Sequence, residues 1–258
     1  MCKQQNELLK LAQSIANIIY ESQSGLINGI GVMGSVATQT NGPYSDIDML
    51  LITNKIHGSY REFICSKLVL MRFQSMKDIN KEIRNASQLT PLIIGKYQNL
   101  MPLVDPDNLF SIIKKRVLNI PKNTFDQSAK KCAYKIYELL YKVKNKAKLG
   151  NSSNASEVAE RAAFYGALLG GALSQHPYKS TESLYKEFSE LPNVGKLLKD
   201  KVLYLRLCIR QNKHIALKDI EALWDAVILA LDFHGLPLKM IDIKELKNWA
   251  ENFFLPHR

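Results

Sequence analysis

Two aspartates with one residue between them, Asp46 and Asp48, stand at the head of an apolar run, and a Gly34-Ser35 pair precedes them. Side chains two positions apart on a strand point the same way, so a strand here projects both carboxylates together. Two ionised acids side by side repel each other unless a cation bridges them. Magnesium favours hard oxygen ligands and shares its shell with phosphate oxygens. The pair could therefore hold Mg2+ against a nucleoside triphosphate and offset charge building on the α-phosphorus. Gly34 lets the backbone come close to a phosphate, and the segment after it could start a helix whose N–H groups face the anion. The Ser35 hydroxyl can bond a β- or γ-phosphate oxygen. A lone pair of this kind is usually just a solvated strand end. The glycine-serine turn, the gap and the apolar Met49-Leu50-Leu51-Ile52 centre, taken together, favour nucleotidyl transfer.

The elements that must position these residues follow from hydrophobic spacing. Leu8, Leu9, Leu11, Ala12, Ile15, Ile18 and Ile19 recur at helical intervals and predict a helix over 6–22. Strands are expected over 26–33, 47–53 and 67–73, and helices over 78–85 and 108–117. The stretch 90–106 holds Pro91, Pro102 and Pro106 among short apolar runs and reads as strand and loop. Beyond Pro121 the pattern is helical, with helices over 124–148, 156–173, 181–190, 194–210, 217–233 and 243–254 and a loop at 150–154. The small residues Ala162, Ala163, Gly166, Ala167, Gly170 and Gly171 imply close helix packing. The fold class is α+β: an α/β domain over 1–120 and an all-helical bundle over 121–258.

The bulk properties narrow the partners. With 46% hydrophobic and 23% charged residues among 258, the chain has the composition of a globular protein with a proper core. No apolar run is long enough for a membrane-spanning helix, and the polar start lacks a secretory signal, so a cytoplasmic protein without a membrane partner is expected. Cys2, Cys65, Cys132 and Cys208 form no CxxC pair; buried reduced thiols are expected. The net charge of +11 attracts phosphates and weighs against a polycationic substrate. Apart from a mild cluster at Lys142, Lys144, Lys146 and Lys148 the basic residues are scattered, so nucleic acid is a possible partner but not the favoured one. The five histidines are dispersed and expected to be structural or exposed. Asp105 is read as a loop cap, and Tyr44 either lines the nucleotide site or packs a turn.

The run from Gly31 through Gly34-Ser35 to Asp46-Ile47-Asp48 resembles the signature of the polymerase-β-like nucleotidyltransferases. More narrowly, Gln39-Thr40-Asn41-Gly42-Pro43-Tyr44-Ser45-Asp46-Ile47 is similar to the kanamycin (aminoglycoside 4′-) nucleotidyltransferases, with weaker likeness along the rest of the chain. The resemblance implies a mixed sheet in the first domain, a helical second domain, and Mg2+ held by Asp46 and Asp48. It implies ATP or another NTP as donor and a small hydroxyl-bearing acceptor, in that family an antibiotic that the enzyme inactivates as a means of resistance. It also implies a homodimer whose active sites lie between subunits. The family's general base falls on Glu138 and its phosphate-binding lysine on Lys142. Helical spacing independently places these two on one face, where an ordinary i,i+4 ion pair is the alternative. Two departures bear on the acceptor. The family has an arginine where this chain has Thr38, and a carboxylate on the third strand where this chain has Leu70 or Val69. The rival readings are a nucleotidyltransferase acting on a protein or RNA acceptor, and a non-catalytic nucleotide-binding relative.

Overall fold

The computed structural model describes residues 2–148 and 155–238. The elements run α1 (Cys2–Gln23), β1 (Gly29–Met33), α2 (Gly34–Ala37), β2 (Ile47–Ile52), β3 (Gly58–Ile64), β4 (Lys67–Gln74), α3 (Met76–Arg84), α4 (Thr90–Gln98), β5 (Met101–Val104) and α5 (Leu109–Leu118). Then come α6 (Lys122–Lys148), α7 (Ala155–Leu173), α8 (Leu184–Glu190), α9 (Lys196–Arg210) and α10 (Leu217–Phe233). The expected loop at 150–154 and helix at 243–254 lie outside the described residues. The architecture is α+β, with a mixed five-stranded sheet followed by helices.

The sheet order is β3-β4-β2-β1-β5. Only β2 and β4 run parallel; the other three neighbours are antiparallel. One face packs Ile30, Val32, Ile47, Met49 and Leu51 against Leu8, Ala12 and Ile15 of α1. The other packs Leu50 and Ile52 against Ile79, Ile94, Tyr97 and Phe110 of α3, α4 and α5. Buried on both faces, β2 has the near-continuous apolar run that such burial requires. Asp48, two residues before Leu50, projects from the α3–α5 face at the strand's open end.

Two expectations need correction. The stretch over 90–106 is not strand and loop throughout. Pro91 sits in the first turn of α4, where its missing N–H is harmless and its fixed φ suits the helix. Strand β5 follows, with Pro102 tolerated because β5 is an edge strand. Cys65 is exposed rather than buried, in the β3–β4 hairpin turn, where both Cys65 and Ser66 have positive φ. Cys132 and Cys208 are buried and reduced, as expected.

The helical half packs around α7. A side-chain carbon added at Gly166, Gly170 or Gly171 would lie within 2.4–2.6 Å of Val202, Phe188 or Tyr178. The small-residue stripe is therefore a packing surface. Against the sheet half, Gly95 of α4 leaves room for the Tyr178 carbonyl, which would lie 1.8 Å from an added Cβ. The Tyr178 N–H donates to the Pro91 carbonyl at 3.1 Å, and its hydroxyl donates to the Ala167 carbonyl at 2.6 Å. These contacts seat the segment after α7 beside α4, at the rim that carries the acidic pair.

Candidate active site

The site grows from the end of β1. Gly34 has φ +63, a left-handed conformation that glycine adopts without strain. It also gives Asp48 room, since a Cβ at position 34 would stand 2.8 Å from Asp48 Oδ2. In the β1–β2 register Asp48 pairs with Met33. Thus the turn that starts α2 and the second aspartate are built against each other. Asp46 lies just before β2 and is exposed, whereas Asp48 is half-buried.

Gly34, Ser35, Asp46 and Asp48 line one cavity of about 360 Å³. Its sheet wall adds Leu70 and Arg72 of β4; its second wall is Leu92 and Lys96 of α4; its third is the segment Lys179, Ser180, Thr181 and Glu182. Burial pushes the Asp48 carboxyl above its ordinary pKa, and the neighbouring Asp46 charge adds to the rise; Arg72 and Arg61 pull the other way. The balance leaves a carboxylate pair in want of a cation.

The donor set fits magnesium in one respect that matters. Among the described residues no cluster of three or more His, Cys, Asp or Glu gathers as a metal cage. Magnesium does not need one, because it is commonly held by one or two carboxylates together with substrate phosphates and water. Asp46 and Asp48 supply the carboxylates, and the cavity beside them has room for the rest.

Glu138 and Lys142 sit elsewhere. Both lie on α6, and neither lines the cavity. Glu138 accepts from Lys135 Nζ at 2.6 Å and from Lys142 Nζ at 2.5 Å. Those two bonds bring its pKa down to about 2. Within one protomer the structure thus shows the helical ion pair, extended to a second lysine. Around it Tyr134, Tyr137 and Tyr141 are exposed, with the Tyr137 ring packed at a tilt between Tyr141 and Trp224.

Other expectations fall out simply. Asp105 caps α5, accepting from the Leu109 N–H at 2.6 Å and the Phe110 N–H at 3.2 Å. Tyr44 is 97% exposed and lines no wall of the cavity. His57 Nδ1 lies 3.3 Å from Asp78 Oδ2, and His176 and His234 bond to Glu187 and the Asn193 carbonyl respectively. His214 is exposed, and His257 lies outside the described residues. Sequence reasoning missed Arg72, Lys96 and the Lys179–Glu182 wall. The only available signal was weak: two bases on an apolar strand and helix that otherwise read as core.

Residues 14–119 match the family model of the nucleotidyltransferase domain. The chain carries a nucleotidyltransferase domain. It is also 23% identical over 237 residues to an aminoglycoside nucleotidyltransferase (4′) of Staphylococcus aureus, covering 89% of this chain and 92% of that protein. A second such enzyme, from a Bacillus species, matches at the same identity and coverage. In fold the chain resembles a nucleotidyltransferase-like protein from Exiguobacterium sibiricum, with a TM-score of 0.53 and 12% identity over 94% of this chain and 78% of that one. The protein is therefore a nucleotidyltransferase enzyme, distantly related to the aminoglycoside-modifying ones. No described helix is long and apolar enough to cross a membrane.

Proposed function

We propose that this nucleotidyltransferase moves a nucleoside monophosphate, AMP in the first instance, from a magnesium-bound triphosphate to a hydroxyl of a small acceptor, releasing pyrophosphate. The observation that carries the reading is the Asp46–Asp48 pair opening with Ser35 onto one cavity, the second carboxylate fitted against Gly34.

Asp46 and Asp48 would hold the metal. When bound, magnesium supplies charge neutralisation on the α-phosphate and a fixed orientation for the triphosphate. The Ser35 hydroxyl donates to an outer phosphate oxygen, and Lys142 stabilises charge on the phosphoryl oxygens. Glu138 accepts the proton of the acceptor hydroxyl. The hydroxyl oxygen bonds to the α-phosphorus as the bond from that phosphorus to the bridging oxygen breaks, and pyrophosphate leaves with the electron pair.

Glu138 and Lys142 reach such a cavity by coming from a second copy of the chain. Their absence from the cavity lining and the exposed tyrosines around Glu138 support an active site completed in a homodimer. On this reading residues 1–120 bind the donor and residues 121–258 supply the base, in a cytoplasmic enzyme. An aminoglycoside is one candidate acceptor, in which case the enzyme would confer resistance.

A pyrophosphate-release screen tests the reaction, using all four nucleoside triphosphates against hydroxylated acceptors that include aminoglycosides. Magnesium-dependent release that requires an acceptor is the expected result. Release from no donor–acceptor combination, by a protein that stays folded, would end the proposal. Mixing tests the dimer: inactive Asp48→Asn and Glu138→Gln proteins should regain activity when co-refolded, because one site in a mixed dimer is intact.

A further inference from the structure

The sheet face that carries Asp48 continues into basic residues. Directly paired residues project from the same face. In the β2–β4–β3 register Asp48 stands beside Leu70 and Leu70 beside Arg61. One rung along, Leu50 stands beside Arg72. Arg72 and Lys96 both line the cavity with Asp46, Asp48 and Ser35.

A single acid anchors these two cations. Lys96 Nζ lies 2.8 Å and Arg72 Nη1 3.8 Å from Glu82 Oε1. Glu82 also accepts from the Tyr97 hydroxyl at 2.6 Å and from Gln74 Nε2 at 3.1 Å. One carboxylate, already bonded this heavily, cannot neutralise both bases. Arg72 Nε is buried and has no hydrogen-bond partner. Lys96 is mostly covered and lies 4.2 Å from the centre of the Tyr97 ring. An arginine only loosely paired, its Nη1 3.8 Å from the nearest acid, and a desolvated ammonium, both on the cavity wall, match an oxyanion. On the β4 and α4 walls a cationic acceptor finds no free carboxylate, since Leu70 fills the row beside Asp48 and Glu82 is engaged; Glu182 on the third wall is the one other acid of the lining.

We propose that Arg72 and Lys96, positioned by Glu82, form an oxyanion subsite of the active-site cavity, taking a phosphate or carboxylate group. The anion comes from the donor's triphosphate tail or from an acidic substituent on the acceptor; this assignment of sources rests on the nucleotidyl-transfer reading.

Titration calorimetry with inorganic phosphate tests the subsite, first on the free protein and then on protein saturated with Mg2+ and a non-hydrolysable ATP analogue. Phosphate should bind the free protein, and Arg72→Gln and Lys96→Gln should each weaken it about tenfold or more, the loss of one charge-assisted contact. Arg72→Lys should recover part of the affinity, which separates charge from folding. If phosphate still binds the nucleotide-loaded protein, the subsite serves the acceptor, and glucose 6-phosphate should outperform glucose in pyrophosphate release. If the analogue displaces phosphate and Arg72→Gln raises the KM for nucleotide, the subsite serves the donor. Unchanged phosphate binding in both glutamine variants, with unchanged KM for nucleotide and for phosphorylated acceptors, would overturn the subsite. Arg72-dependent phosphate binding without pyrophosphate release from any pair would instead overturn the nucleotidyl-transfer reading and leave the subsite standing.

Discussion

Asp46 and Asp48 on one side and Glu138 on the other are acids in opposite electrostatic circumstances. Asp48 is half-buried beside another carboxylate, and its pKa is raised. Glu138 is exposed between two lysines, and its pKa is brought down to about 2. The first arrangement costs the protein stability until a cation arrives; the second is already satisfied within the protomer. A pair that Arg72 and Arg61 compensate only in part marks a place built for something else to fill. A compensated carboxylate must be released from at least one lysine before it can take a proton.

Removing the partly compensated charge gives the largest effect. Asp48→Asn should lower magnesium-dependent pyrophosphate release by about 1,000-fold, since charge stabilisation at the phosphorus goes with it. The same change relieves repulsion with Asp46, so the metal-free variant should melt at or above the parent temperature. Magnesium with a nucleotide analogue should raise the melting temperature of the parent and not of the variant. A variant that loses stability and still gains from ligand would show that Asp48 is structural. Glu138→Gln comes next, with a loss of roughly 100-fold, at the lower end for a general base. Its nucleotide-induced melting shift should survive, which places the defect after binding. A joint loss of binding and turnover would erase the contrast between the two acids.

Gly34→Ala acts through geometry rather than charge. The left-handed φ of +63 costs an L-residue about 1–2 kcal/mol, and the new Cβ would meet the Asp48 carboxylate at 2.8 Å. Asp48 must turn away, so activity should fall about tenfold at limiting magnesium and recover partly when magnesium is raised. Equal loss at all magnesium concentrations would detach Gly34 from the metal site. The effect is smaller than deletion of the carboxylate because Asp48 still carries its charge.

The same contrast explains what was legible in the sequence. The acidic pair was readable because local order makes it: two residues of one strand and a turn that touches them. Strand β2 and helix α10 were readable because burial imposes a clean apolar pattern on each. Strand β3 was missed because it is an exposed edge, and Gly-Ser-Tyr-Arg-Glu-Phe-Ile shows no apolar alternation. Helix α4 is hidden in a stretch of prolines and short apolar runs that reads as strand and loop, because Pro91 suits a first helical turn as well as a loop. Arg72, Lys96 and Lys179 meet only through tertiary packing, from β4, α4 and the segment after α7. No spacing in the chain records that meeting. Glu138 shows the reverse: its helical neighbour Lys142 was readable, while Lys135 as a second partner needed the side-chain geometry.

Lys135→Met tests the satisfied acid most gently. Lys135 supplies the largest contribution to the depressed Glu138 pKa, ahead of Lys142. With its folded pKa below the ordinary 4.5, Glu138 adds stability above that value and surrenders it as pH falls toward about 2. The carboxylate is exposed and salt-screened, so little of this should reach the melting temperature. The effect should fall on catalysis. On the proposed reading Glu138 is a base that must be ionised and so gives an acid limb in kcat/KM; the profile is taken at saturating magnesium, so that Asp48, whose raised pKa would otherwise titrate first, is held ionised. Removing Lys135 should move that limb upward, from near 2 toward 4.5, while leaving the i,i+4 partner Lys142 in place. A base of higher pKa is also the stronger one, so turnover near neutral pH should rise slightly. Profiles measured over the acid range in which circular dichroism shows both proteins folded decide the matter. An acid limb that stays put in the variant would mean that the titrating base lies elsewhere and that Glu138 is only the ion pair it forms within the protomer.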